Sequence, residues 1–215
     1  MTSKKEQKKI NINGKPKYIS LGTDYNFFEL FQKIQLNFVN CFLFESLGEE
    51  SNISRYHIIG FDPKYIISSE NDNELKINCP TSGETDTITC ENPYYKLRDI
   101  IPQNVISRKY AGGLVGYISY DSINYFESNL NIKKHPKFES FKFGVFLDGL
   151  IYDQMTGEVF YYYYEENKIE KIKNIIKQKR KKSLNIKCKF LNDSMTKDQH
   201  KKTVLKIKDD IKNGL

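Results

Sequence analysis

Apolar residues recur along this chain with two periods. At helical spacing, Phe27, Leu30, Phe31 and Ile34 share one face, which predicts a core-facing helix over 24–36 capped by Thr23. Asn92 followed by Pro93 is a helix start, with Tyr94, Tyr95, Leu97, Ile100 and Ile101 as its buried side. Ile169, Ile172, Ile175 and Ile176 repeat the pattern in the Lys-rich stretch 168–182, read as a surface helix whose isoleucines rest on a sheet. A last helix opens at Ser194 or Thr196, carries His200, Val204, Ile207 and Ile211 on one side, and stops at Asn213-Gly214.

Strand patterns lie between these helices. They cover 38–44, 55–63 with an Asp-Pro end, 64–69 and 75–78, with a polar surface loop over 79–89. Further on, 141–152 and 158–164 read as two strands of a hairpin closed by Asp153-Gln-Met-Thr-Gly157. The stretch Ala111-Gly-Gly-Leu-Val-Gly-Tyr-Ile-Ser-Tyr-Asp121 reads as a strand packed on both faces. Its glycines, Gly112, Gly113 and Gly116, imply close backbone approach or a bulge. Asp121 is placed to cap a short helical turn carrying Ile123, Tyr125 and Phe126. Many strands, few helices and a hairpin make an α+β fold: a largely antiparallel, sandwich-like sheet with a few flanking helices.

Charge divides the chain of 215 residues unevenly. Residues 1–17 carry six lysines against one glutamate, and 168–215 carry sixteen basic against five acidic groups. The middle carries twelve basic against twenty-one acidic groups. An acidic centre between basic ends is the reverse of a nucleic-acid-binding face, so no nucleic-acid partner is expected. Residues 1–17 read as a disordered basic terminus without the apolar region of a signal peptide. No run reaches membrane-spanning length, so no membrane partner is expected and the expected location is cytoplasmic. Cys41, Cys79, Cys90 and Cys188 form no Cys-x-x-Cys pair and no metal-ligand spacing with His57, His135 or His200; they read as free thiols, with a disulfide as the lesser alternative.

Spacing supports no Ser/His/Asp or Cys/His set and no metal site. The glycines lack the Lys-Ser/Thr ending of a phosphate loop. Glu127, after the aromatic run, reads as a structural ion-pairing group rather than an acid-base catalyst.

Three segments in order carry a family resemblance. Phe42-Leu-Phe-Glu-Ser-Leu47 is similar to a Leu-Leu-Glu-Ser motif. Ser54-Arg-Tyr-His-Ile-Ile-Gly-Phe-Asp-Pro63 is similar to Gly-Arg-Tyr-Ser-x-Ile-Gly-x-Asp-Pro, with Ser54 and His57 as departures. Gly112 to Glu127 is similar to Gly-Gly-x-x-Gly-Tyr-x-Ser-Tyr-Asp...Glu. Together they resemble the N-terminal domain of the large subunit (component I) of anthranilate synthase. The resemblance implies that 18–165 form that domain, 166–192 a Lys-rich helix and connector, and 193–215 the first helix of a chorismate-binding domain that is cut short. Arg55, Gly112, Gly113, Gly116, Tyr120, Asp121 and Glu127 are then structural motif residues.

The same resemblance implies a tryptophan feedback site at Ser46, with Glu45 and Leu47 beside it, of which this chain holds half. Catalytic residues, chorismate and Mg2+ would belong to the missing domain, so the chain alone would be inactive. A glutamine amidotransferase subunit would supply ammonia. The runners-up are the N-terminal part of aminodeoxychorismate synthase and a stand-alone amino-acid-binding or interaction domain.

Overall fold

The computed structural model describes residues 10, 12, 14–46, 48, 54–101, 112–127, 129–179 and 187–214. They fall in two compact units, Met1–Arg180 and Lys181–Leu215.

The first unit holds two five-stranded antiparallel sheets. One comprises β1 (Lys17–Gly22), β2 (Cys41–Phe44), β3 (Tyr56–Phe61), β9 (Asp148–Asp153) and β10 (Glu158–Tyr163), in the order β1-β10-β9-β3-β2. The other comprises β4 (Tyr65–Ser69), β5 (Glu74–Asn78), β6 (Thr85–Thr89), β7 (Gly113–Ile118) and β8 (Phe141–Phe146), in the order β6-β5-β4-β8-β7. The α+β expectation therefore holds, with every pairing antiparallel.

Helices α1 (Phe27–Gln35) and α3 (Ile169–Lys177) cover one face of the first sheet. Phe27, Leu30, Ile34, Ile172 and Ile175 pack there with Ile59, Phe61, Leu150, Val159 and Tyr161. Each such side chain contributes about 1.5–3 kcal/mol by leaving water. The opposite face is buried too: Ile151 and Tyr162 are 1% and 0% exposed. Phe42 on β2 meets Phe146 on β8 edge to face, ring centroids 4.9 Å apart, which ties the two sheets together. Helix α2 (Pro93–Ile100) covers the second sheet through Leu97 and Ile100. Asn92 caps it as expected, accepting from the Tyr94 and Tyr95 amides.

Several expectations are corrected. Thr23 does not cap α1; Asn26 does, accepting from the Glu29 amide at 2.9 Å, because Asp24 has φ +68° and cannot start a helix. The first strand run begins at Cys41, with 36–40 forming the exit from α1. The loop expected over 79–89 contains β6, an edge strand of alternating threonines whose polarity hid it. The apolar run 141–152 is two strands in two sheets, broken at Leu147. Strand β7 is an edge strand, not one packed on both faces: Gly116, Tyr117 and Ile118 are exposed. Tyr95 is half exposed rather than core. Within the basic terminus read as disordered, Ile10 is buried and its amide donates to the Ile100 carbonyl at 2.9 Å.

A polar knot holds the start of α3. Lys168 Nζ lies 3.0 Å from Asp62 Oδ2 and 3.3 Å from Asp148 Oδ2, and Tyr161 donates to Asp148 Oδ1 at 2.6 Å. Burial pushes the Asp148 carboxyl above its usual range despite these partners. Burial and the same carboxylate raise Tyr161, so its phenol stays a donor. Burial works against the Lys168 charge, but the two carboxylates outweigh it and raise its pKa.

In the second unit the described residues are 187–214. Helix α4 (Lys197–Lys212) opens with a capping box between Thr196 and Gln199. His200, Val204, Ile207 and Ile211 are exposed.

Candidate functional site

Strand β2 ends at Phe44, and the chain leaves the sheet through Glu45 and Ser46. Leu47 lies outside the described residues. The partner strand β3 and the β9–β10 turn surround this exit. Ser46 Oγ donates to the Tyr56 carbonyl at 3.1 Å, which crosses the mouth of the β2–β3 loop. Gln154 Nε2 donates to the Ser46 carbonyl at 3.3 Å and abuts His57 Nε2. The Ser46 hydroxyl proton is thus committed to the backbone, while its oxygen keeps lone pairs for a donor.

Glu45 stands beside His57. Its Oε1 is 3.7 Å from His57 Nδ1, too long for a hydrogen bond, so that buried ring nitrogen has no hydrogen-bond partner. The His57 ring is held edge-on to Phe27 and Tyr152, at centroid distances of 6.0 and 5.5 Å. Behind them Arg55 grips Asp153 in a fork, Nε to Oδ1 at 2.9 Å and Nη2 to Oδ2 at 2.6 Å. Asp153 also accepts from the Met155 amide at 3.1 Å, and the Gln154 amide donates to the Arg55 carbonyl at 2.9 Å. This fixes the turn that delivers Gln154. Arg55 is therefore a structural ion pair.

The arrangement suits recognition rather than bond-making. Ser46 points at a backbone carbonyl, not at a base, so it is not an activated nucleophile. An exposed carboxylate beside a fixed hydroxyl oxygen can accept from an ammonium group. No group of three or more His, Cys, Asp or Glu that could hold a metal ion occurs among the described residues.

The residues of the glycine-rich motif lie elsewhere, on the second sheet. A Cβ on Gly116 would meet the Lys142 carbonyl oxygen at 1.9 Å, and one on Gly112, at φ +78°, would meet the Phe146 carbonyl oxygen at 2.1 Å. These glycines serve close backbone approach, as their pattern implied. Gly113 has φ +136° with open space around it. Tyr120 is 81% exposed. Asp121 does not cap the turn; it lies inside a short 3-10 helix, Tyr120–Tyr125, that follows Ser119, and it is buried. Glu127 is exposed.

Sequence reasoning brought Glu45, Ser46 and Arg55 to one place but missed Gln154 and the Tyr56 carbonyl. Gln154 comes from a hairpin turn about a hundred residues away. Its only signal was the turn itself.

Comparison with known proteins places this chain in a family. Residues 39–215 match the family described as chorismate binding enzyme. Anthranilate synthase component 1 of Leptospira biflexa is 37% identical over 213 residues, covering 96% of this chain and 44% of that protein. Its counterpart in Methanothermobacter thermautotrophicus is 36% identical over 152 residues, covering 70% of this chain and 32% of that protein. The crystal structure of anthranilate synthase component I from Streptococcus pneumoniae aligns over 78% of this chain and 40% of its own, at 20% identity and a TM-score of 0.48. The chain thus spans less than half the length of these relatives. The family match extends from the start of β2 through α4, and on that extent the chain belongs to the chorismate binding enzymes.

Proposed function

We propose that this chain is the N-terminal part of an anthranilate synthase component I, a cytoplasmic lyase of tryptophan biosynthesis. The whole protein would convert chorismate and ammonia, delivered by a glutamine amidotransferase subunit, to anthranilate and pyruvate. The support is the name shared by the relatives together with the fraction of them that the chain covers. The part described here would scaffold and regulate, and residues beyond those of this chain would supply the acid-base groups. Magnesium, which the whole enzyme would use, finds no fitting set of ligands among the described residues.

The regulatory ligand proposed is tryptophan, bound at Glu45-Ser46 with Leu47 completing the segment. The observation that carries this is the Ser46 hydrogen bond to Tyr56, which leaves the hydroxyl oxygen as an acceptor at the end of a strand. A ligand ammonium would donate to it and to the Glu45 carboxylate, while Phe44, half exposed at the same strand end, offers apolar surface. Tryptophan would inhibit by binding one arrangement of the two parts of the enzyme better than the other.

The test is a chimera in which this chain replaces the matching part of the Leptospira biflexa protein. With chorismate, ammonia and Mg2+ it is expected to form anthranilate, inhibited by tryptophan, whereas this chain alone forms none. A folded chimera that makes no anthranilate, or turnover by the chain alone, contradicts the proposal.

A further inference from the structure

Away from the Ser46 site, a slot of about 350 Å3 opens on the second sheet, lined by Tyr117, Ser119, Tyr120, Asp121, His135 and Phe138. Its walls are aromatic. His135 and Phe138 have ring centroids 4.7 Å apart, and Tyr117 meets Phe138 edge to face at 6.4 Å. Tyr120 and Phe138 are 81% and 60% exposed, so their rings are open to a ligand. The lining includes one carboxylate, Asp121, which is 6% exposed.

We propose that this slot binds a small organic ammonium ion, whose charge is met by the faces of Tyr117, Tyr120 and Phe138, with the buried Asp121 carboxylate behind them. Three features favour a cation over a neutral or anionic ligand. Asp121 forms no ion pair among the described residues; the nearby Lys134 is engaged with Asp72 at 2.5 Å. Burial works against the Asp121 charge, but hydrogen bonds from its own amide and the His135 amide, with the Lys134 charge, help to lower its pKa. Lastly, the Tyr117 hydroxyl donates to Glu139 Oε2 at 2.6 Å. A phenol donating to a carboxylate carries more electron density on its ring, and ring faces attract cations through that density. An anionic ligand would meet the Asp121 charge across a low-dielectric wall and be repelled.

The loop is built to hold the slot open. Asp121 Oδ2 accepts from the His135 amide at 3.3 Å, and His135 Nδ1 accepts from the Lys137 amide at 3.2 Å, which fixes the ring. Ser119 Oγ donates to the Ser140 carbonyl at 2.9 Å. These bonds preorganise Asp121 and the His135 ring at the edge of the slot.

The test uses choline and its uncharged isostere 3,3-dimethylbutan-1-ol, titrated into the full chain and followed by amide NMR shifts. Choline is expected to give saturable shifts confined to 117–121 and 135–138, and the isostere none. Tyr120→Ala, at an exposed position that leaves the fold intact, is expected to weaken choline roughly two- to five-fold. Asp121→Asn keeps an acceptor for the His135 amide and is expected to weaken it further. The proposal is overturned if choline gives no saturable shift, if the isostere binds as well, or if Tyr120→Ala leaves choline affinity unchanged.

Discussion

Arg55 and Asp153 face each other as a two-pronged pair, Nε to Oδ1 at 2.9 Å and Nη2 to Oδ2 at 2.6 Å, at the point where β3 begins and β9 ends. The Asp153 side chain is 3% exposed and also accepts from the Met155 amide. Asp153→Ala removes a buried acceptor from three donors and is expected to cost about 2–3 kcal/mol. Chemical denaturation checks this. Arg55→Lys, which cannot reproduce the fork, should destabilise less than Asp153→Ala but measurably.

Glycines in the two sheets and their turns divide into those that need space and those that need conformation. Gly116→Ala drives a methyl into the Lys142 carbonyl, backbone that cannot yield, so β7 should detach from β8. Gly157, at φ +69° with nothing within 4 Å, meets only the left-handed penalty, and Gly157→Ala should cost about 1 kcal/mol. Hydrogen exchange of the β7 amides should rise sharply for the first substitution and remain unchanged for the second.

The pH dependence of stability follows from Glu139. Lys142 first, then Tyr117, hold its carboxyl at about 2, below the usual 4.5. A folded value below the unfolded one means stability that is present above about 4.5 and lost as pH falls towards about 2. Asp148, raised by burial, has the opposite sign: its contribution is lost as pH rises through its folded value. Glu139→Gln should therefore flatten the acid limb of the stability curve. Tyr117, pushed up to about 12 by burial and by Glu139, should stay protonated where ordinary tyrosines titrate. Ultraviolet titration of Tyr117→Phe against the parent protein checks that.

Local signals in the sequence located what local chemistry decides. Asn92-Pro93 starts α2 because one side chain and one fixed φ suffice. Thr23 misled because the left-handed turn at Asp24 is imposed by the chain's path from β1 into α1, not by the residues themselves. The break at Leu147 was invisible because both strands it joins are apolar, and only the partition between two sheets separates them. Strand β6 was hidden by its polarity, since an edge strand with one exposed side needs few apolar residues. At the candidate site, Glu45, Ser46 and Arg55 stood out by motif. Gln154 and the Tyr56 carbonyl did not, because a backbone acceptor has no sequence signature and a turn residue is placed by long-range strand pairing.

Replacing Ser46 probes two roles at once. Ser46→Ala leaves the Tyr56 carbonyl without its donor and removes the acceptor proposed for tryptophan. Each loss is about 1 kcal/mol, so the isolated chain should be slightly less stable, and inhibition in the chimera should weaken by roughly five-fold.

The most direct measurement is tryptophan inhibition of the chimera carrying Ser46→Phe. The phenyl group would fill the space beside Glu45 without touching the catalytic residues, which we propose lie outside this chain. Uninhibited anthranilate formation should therefore stay near the parent rate while sensitivity to tryptophan falls far below that of Ser46→Ala. A folded Ser46→Phe chimera that remains as sensitive to tryptophan as the parent would contradict the assignment of the site.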